Sequence, residues 1–194
     1  MSPSLAQDLF RPLTTRRLRL RALAETDADF ILAHFSDPEV CLYLKDAEPL
    51  TERAQALGLI AFFADPDRVR ACRWGICLKE SGQIIGTLGF LHWDAHNLSA
   101  EIGFDLAHHW WGRGLMSEAM TAVINAAHLG LGLNRIWAVV HTGNQRSLKT
   151  LHRLGFQTEG VARELFRFRG EFHDHYCLSL LPRDWQGADH QERS

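Results

Sequence analysis

Residues 106–119 read Leu106-Ala107-His108-His109-Trp110-Trp111-Gly112-Arg113-Gly114-Leu115-Met116-Ser117-Glu118-Ala119. An apolar strand ends at Leu106, a loop carrying two glycines turns the chain, and a helical pattern starts at once. Leu115, Met116, Ala119, Met120, Val123, Ile124 and Ala127 fall on one stripe of that helix. The first amides of a helix have no intrahelical acceptor and point out of its end. Together with the helix dipole they favour a phosphate group. Gly112 and Gly114 remove the side chains that would keep an anion from the backbone, and Arg113 adds positive charge at the rim. A bare G-x-G is only a tight turn; the position between a strand and an amphipathic helix is what makes this one a phosphate cradle.

Outward from that loop the period of the sequence changes twice. Upstream, three segments of strand character, Ala71–Lys79, Gln83–His92 and Leu98–Leu106, are joined by turns at Ser81-Gly82 and at 94–97, which predicts an antiparallel meander. Before it come a strand over Arg16–Ala22, a helix over Asp27–Phe35 capped by Thr26 or Asp27, a short turn or helix at Asp37-Pro38, and a helix from Thr51 to about Asp65-Pro66 with Ala54, Leu57, Ile60 and Ala61 on its inner face. Downstream, Gly130–Gly132 ends the central helix. Arg135–His141 is a nearly unbroken apolar run, expected to be a strand buried on both faces. Asn144 caps a helix whose inner face is Leu148, Leu151 and Leu154, and strands over Phe156–Phe168 and Phe172–Leu181 flank a turn at Gly170. The expected fold is α+β: a mixed, mostly antiparallel sheet of about seven strands with about four helices. At 194 residues the chain suits a single domain over 1–194, with its core over about 13–181 and polar tails at both ends, the one from Pro182 to Ser194 a loose tail.

Composition narrows the function classes. Apolar residues make up 46% and charged residues 23%, which is enough for one core, and no apolar run reaches the length of a membrane span. The segment Met1–Phe10 has neither the basic start nor the apolar block of a signal peptide, so a cytoplasmic location is expected. A net charge of −2 gives no global pull toward nucleic acid or an anionic membrane. The local basic run Arg16, Arg17, Arg19 and Arg21 alternates with Leu18 and Leu20, as on a half-exposed strand. The four cysteines form no C-x-x-C pair and read as buried, reduced thiols. The eleven histidines have no metal-ligand spacing, so no metal is expected.

Taken together, these segments resemble the GNAT acetyltransferase superfamily, whose coenzyme A loop is written Q/R-x-x-G-x-G/A. Trp111 stands at the Q/R position, Gly114 at the glycine and Met116 at the G/A position. The first and last depart from the general pattern but fit the Rim-type ribosomal-protein N-acetyltransferases, which carry W-G-x-G followed by E-A, here Glu118-Ala119. Leu18-Arg19-Leu20-Arg21, Ala100–Phe104, Asn144-Gln145-Arg146-Ser147, Leu154-Gly155-Phe156 and Gly160–Asp174 extend the resemblance over about Leu13 to Leu181. It implies a sheet whose central strands splay beside a bulge, so that pantetheine can pair with backbone on Ser99–Ala107. Phe104 and Leu106 would supply those groups. Trp111, Gly112, Arg113, Gly114, Leu115, Met116 and Ser117 would surround the pyrophosphate, and Asn144 and Ser147 would face the pantetheine and its sulfur.

The reaction so implied is attack of a primary amine on the thioester of acetyl-CoA. It needs a base for the ammonium, a donor for the oxyanion and an acid for the departing thiolate. The oxyanion donor expected is a backbone amide near Leu106. The tyrosine many superfamily members use as acid falls at Leu151, which leaves Ser147 as the substitute; helix structure is its alternative role. Glu101, Glu159 and Glu164 are base candidates, with Glu101 preferred. Trp93, Trp110 and Trp111 could line an acceptor pocket. The acceptor expected is a protein N-terminal α-amine, whose pKa of about 8 needs less help than a lysine near about 10.4. A small-molecule amine acceptor and a non-catalytic CoA-binding module are the alternatives, for a monomer or homodimer. A dinucleotide site is excluded: the third glycine is missing and the loop follows a meander instead of the first strand of a βαβ unit.

Overall fold

The computed structural model describes residues 9–44 and 48–187. The strands are β1 (Leu13–Thr14), β2 (Leu18–Ala22), β3 (Cys72–Leu78), β4 (Ile84–Asp94), β5 (Ser99–Leu106), β6 (Arg135–His141), β7 (Gln157–Phe168) and β8 (Glu171–Leu180). The helices are α1 (Ala28–His34), α2 (Pro38–Cys41), α3 (Arg53–Phe62), α4 (Pro66–Val69), α5 (Leu115–Asn125) and α6 (Gln145–Arg153). One 8-stranded sheet runs β1-β2-β3-β4-β5-β6-β8-β7. All neighbours are antiparallel except β5 and β6. The mixed, mostly antiparallel α+β architecture is as expected, with one more strand and two more short helices.

Successive side chains of a strand point to opposite faces, and the sheet uses this to separate two environments. Leu18, Leu20, Trp74, Ile76, Leu88, Phe90, Ile102 and Ile136 join Met120, Val123 and Ile124 of α5 and Leu151 of α6 in the main core. The other face takes α1 and α3 through a small cluster of Ala28, Ile31, Ala56 and Ile60. The inner face of α3 is therefore Ala56 and Ile60 with Leu57 packed beside them, the last two as expected; Ala54 and Ala61 are exposed. Alanine is small enough to sit on either face, so its spacing was a poor guide. β6 alternates buried and half-buried residues and is not covered on both faces, because Val139 and His141 line the cleft described below and Trp137 is covered only in part, by the ring of His92.

The packed unit is wider than 13–181. Leu9 is fully buried in the main core, and Trp185 packs on it while its Nε1 donates to Asn125 Oδ1 at 2.8 Å. The segment from Pro182 to Gly187 is thus tied to α5 and is no loose tail; the rest of that expected tail lies outside the described residues, as does most of Met1–Phe10. The basic run lies on a half-exposed strand as expected, with Arg19 exposed between buried Leu18 and Leu20. Arg21 makes a bidentate pair with buried Asp27 at 2.7 and 2.8 Å, and Arg17 reaches buried Glu118. Asp27 spends its carboxylate on Arg21 and on Ala24 N–H, and gives no side-chain cap to α1.

Candidate active site

β5 and β6 run parallel for three residue pairs only, Ser99↔Arg135, Ala100↔Ile136 and Glu101↔Trp137. Beyond Glu101 the two strands part. On its other edge β5 stays in register with β4 from Glu101↔Leu91 to Leu106↔Gly86. Ala107 N–H donates to Ile85 O at 2.9 Å. Backbone groups alternate in direction along a strand, so the N–H and C=O of Phe104 and Leu106 face away from β4 into the gap. The irregularity beside the splay sits on β4, between Leu91 and Asp94, with His92 at φ 50°; β5 itself runs without a bulge.

Two cavities meet at this gap. The larger, about 300 Å³, contains every residue named above for the coenzyme: Phe104, Leu106, Trp111 through Ser117, Asn144 and Ser147. Gly112 and Gly114 have φ of 75° and 71°, in the left-handed region that favours glycine. A Cβ at Gly114 would make an ordinary contact with Arg17 Nη2 at 3.7 Å, so what the position demands of the chain itself is its backbone conformation. The amides that open α5 therefore emerge from two left-handed turns.

Trp111, at the position where the general family pattern has Gln or Arg, has two partners. Its indole Nε1 donates to Leu106 O at 2.6 Å, and the Arg146 guanidinium lies 3.3 Å over its ring. The Leu106 carbonyl is thus engaged, and the backbone group it leaves for a ligand is the N–H. Arg113 stacks over Trp110 at 4.7 Å, at the rim. Arg146, Lys149 and Arg153 of α6 add three cationic side chains to the lining. Trp110 and Trp111 line this cavity and not the second one, while Trp93 is buried in the main core.

The second cavity, about 170 Å³, shares Tyr43, Leu44, Phe104, Asp105, Asn144 and Ser147 with the first. Asn144 Oδ1 accepts from Ser147 N–H at 3.1 Å, so the start of α6 is capped as expected and Ser147 is held at the junction. Leu151 is fully buried and offers no acid. Glu101 is buried and lines only the second cavity, with His92 Nδ1 2.8 Å from its Oε2. The other two glutamates are elsewhere. Glu159 is on β7, bound by Arg135 and Ser179; the Arg135 guanidinium holds its carboxyl down to about 2. Glu164 is exposed on β7, at φ 52°.

Sequence reasoning missed several residues here. Tyr43 lines both cavities, and its ring lies 5.0 Å from that of His141. His141 and His175, paired across β6 and β8, line the second cavity. Gly143 N–H donates to His141 Nδ1 at 2.9 Å, so the His141 proton sits on Nε2, 3.3 Å from His173 Nδ1. Burial, then neighbouring His173, push His141 below the usual imidazole range. The period-two spacing of His173 and His175 was the available signal: it puts both on one face. Where the two cavities meet, Asp105 is buried against Arg73, with His34 Nε2 at 2.7 Å and Thr87 Oγ1 at 2.8 Å. Burial drives its carboxyl up, and Arg73, His34 and Thr87 outweigh that to hold it at about 2. No group of three or more His, Cys, Asp or Glu side chains able to hold a metal gathers among the described residues. No helix among them is long and apolar enough to cross a membrane.

Known proteins match this geometry. Residues 17–157 match the family described as the acetyltransferase (GNAT) domain. The N-acetyltransferase p20 of Bacillus licheniformis, itself uncharacterized, is 40% identical over 90% of this chain and 98% of its own. The ribosomal protein uS5-alanine N-acetyltransferase of Escherichia coli is 30% identical over 89% of this chain and 92% of its own, in line with the Rim-type resemblance. Among solved structures, the microcin C7 self-immunity acetyltransferase MccE in complex with acetyl-CoA and AMP superimposes with a TM-score of 0.77 at 21% identity, over 86% of this chain and 93% of its own.

Proposed function

The chain belongs to the GNAT acetyltransferase family, and from that premise we propose that it transfers an acetyl group from acetyl-CoA to a protein N-terminal α-amine. The observation that carries the reading is the parting of β5 and β6 beyond Glu101, with a loop of outward helix amides on one side and a cleft holding a carboxylate on the other.

Acetyl-CoA supplies the activated thioester. The amides from Gly112 to Ser117 take the pyrophosphate, and the Phe104 and Leu106 backbone takes pantetheine as an added strand. In the second cavity Glu101 accepts the ammonium proton, directly or through a water. The amine nitrogen bonds to the acetyl carbon, Leu106 N–H stabilises the oxyanion, and the C–S bond breaks. Ser147, at the junction of the cavities, gives its proton to the leaving thiolate and takes in return the second proton that the nitrogen loses as the amide forms. The α-amine assignment is supported by the E. coli relative and by the partly polar second cavity, where His141, His175 and Glu101 suit a peptide end.

The test is thiol release from acetyl-CoA over a panel of acceptors. Peptides with a free N-terminus should react, at a rate rising toward pH 8 as the amine deprotonates, and the same peptides with a blocked N-terminus and a free lysine should react poorly. The reverse order, or turnover of small amines alone, would move the acceptor to a different class and leave the coenzyme assignment standing. No thiol release with any acceptor, alongside tight CoA binding, would make the chain a CoA-binding module.

A further inference from the structure

Glu118 lies in the first turn of α5 and is buried, yet it neither lines the cavities nor caps the helix. Its carboxylate is fully engaged by the segment before β2. Oε1 accepts from Thr15 Oγ1 at 2.5 Å and from Arg17 N–H at 2.7 Å, and Oε2 accepts from Arg17 Nε at 2.6 Å. These contacts fix an arginine that has a second task. Arg17 Nη1 donates to the carbonyl of Arg113 at 3.1 Å, in the middle of the Gly112–Gly114 loop.

That bond has a direction. A peptide unit carries its C=O and the following N–H on opposite sides. Drawing the Arg113 carbonyl back toward Arg17 turns the Gly114 N–H the other way. The carbonyl would otherwise be free to swing with the two left-handed glycines, and an oxygen turned into the cavity would repel an anion. A bare carboxylate this close to the helix start would also oppose a phosphate; in contact with Arg17, Glu118 is neutralised, and burial of its carboxyl is outweighed by Thr15 and Arg17, which hold it ionised.

We infer that Glu118 and Arg17 are positioning residues for coenzyme selection: the Glu118–Arg17–Arg113 chain holds the loop amides toward the pyrophosphate without touching it. The inference rests on the coenzyme reading above and gives the Glu118-Ala119 part of the sequence motif a physical task.

The experiment compares acetyl-CoA with S-acetylpantetheine, which has the same thioester and no pyrophosphate, as acetyl donors for wild type, Glu118→Gln and Arg17→Lys. Glutamine keeps the shape of Glu118 and loses the charge; lysine keeps the charge of Arg17 and loses the two-nitrogen reach to both Glu118 and Arg113. Hydrogen bonds to charged groups correspond to roughly ten- to a hundredfold in an equilibrium. The expected result is a fall of about tenfold or more in the ratio of kcat/KM for acetyl-CoA to that for S-acetylpantetheine, carried by KM for acetyl-CoA. A merely structural role would depress both donors alike and leave the ratio where it was, which overturns the inference. If Glu118→Gln does not fold, Arg17→Lys decides by the same ratio. A wild type that shows no preference for acetyl-CoA over S-acetylpantetheine removes the pyrophosphate assignment, and this inference with it.

Discussion

Gly114→Ala adds one methyl group to a backbone held at φ 71° and ψ 4°. The nearest neighbour of that methyl would be Arg17 Nη2 at 3.7 Å, an ordinary contact, so packing contributes no clash. What remains is the left-handed conformation, which costs an L-residue about 1–2 kcal/mol. If the loop keeps its shape, that cost falls on folding and lowers Tm by roughly 2–8 °C for a domain of this size. If the loop relaxes, the cost falls on the amides at the start of α5, and Kd for CoA rises about five- to thirtyfold. The loop is exposed at Gly114 and anchored mainly through Arg113 O and Trp111, so relaxation should dominate and the change should appear in Kd. Titration calorimetry with CoA and thermal melting of the same samples separate the two. Gly114→Val adds a β-branch in the same conformation and should lose CoA binding more severely. Gly114→Ala with wild-type Tm and wild-type Kd together would refute the argument that this glycine sets the cradle.

Four further outcomes are expected. Trp111→Phe removes the donor to Leu106 O and weakens the Arg146 contact, and should weaken CoA binding by about 1–2 kcal/mol; an unchanged Kd would show that the Trp111 contacts are incidental to the site. Ser147→Ala should lower kcat about a hundredfold with little change in KM for acetyl-CoA, and Tyr43→Phe should not; the opposite pattern in steady-state rates would assign the leaving-group proton to Tyr43. Asp105 has a folded pKa of about 2 against an ordinary 3.8, so its stabilisation is full above about pH 4 and is lost as pH falls through about 2; Arg73→Ala should cost about 3–5 kcal/mol at neutral pH by leaving that buried carboxylate short of its main partner, and a loss under about 1 kcal/mol in denaturant melts would contradict the buried-pair account. Exhaustive chelation should leave the acetyl-transfer rate unchanged, and a loss restored by zinc would overturn the metal-free mechanism.

What could be read from the chain was local. The Gly112–Gly114 turn, the α5 stripe and the Asn144 cap each depend on residues within a few positions of one another, and each appears where its spacing put it. The residues that escaped depend on distant partners. Tyr43 reaches the junction from the turn after α2, His34 meets Asp105 across 71 positions, and His141 meets His175 only through the β6–β8 register. β6 misled because its residues are apolar whether or not a layer covers them; the face of Trp137, Val139 and His141 is partly open, and only the three-dimensional arrangement says so. The half-exposed strand of arginines and leucines appears as its alternation put it, but the buried carboxylates Asp27 and Glu118 that Arg21 and Arg17 meet were not legible from that alternation. The role of Trp111 was hidden because its position is normally described by polar residue types, while here an indole N–H and a borrowed guanidinium stand in the same place.

The three-pair ladder between β5 and β6 has a mechanical consequence. It divides the sheet into a leaf of five strands and a leaf of three, stitched at one end by backbone and elsewhere by side chains of the main core. A coenzyme lying along Phe104 and Leu106 would complete that seam like a missing stave, so heating should pry the leaves apart sooner in its absence. Saturation at a hundredfold over Kd is worth about 2.7 kcal/mol, and amide exchange along β6 and the end of β5 is where that gain should be concentrated.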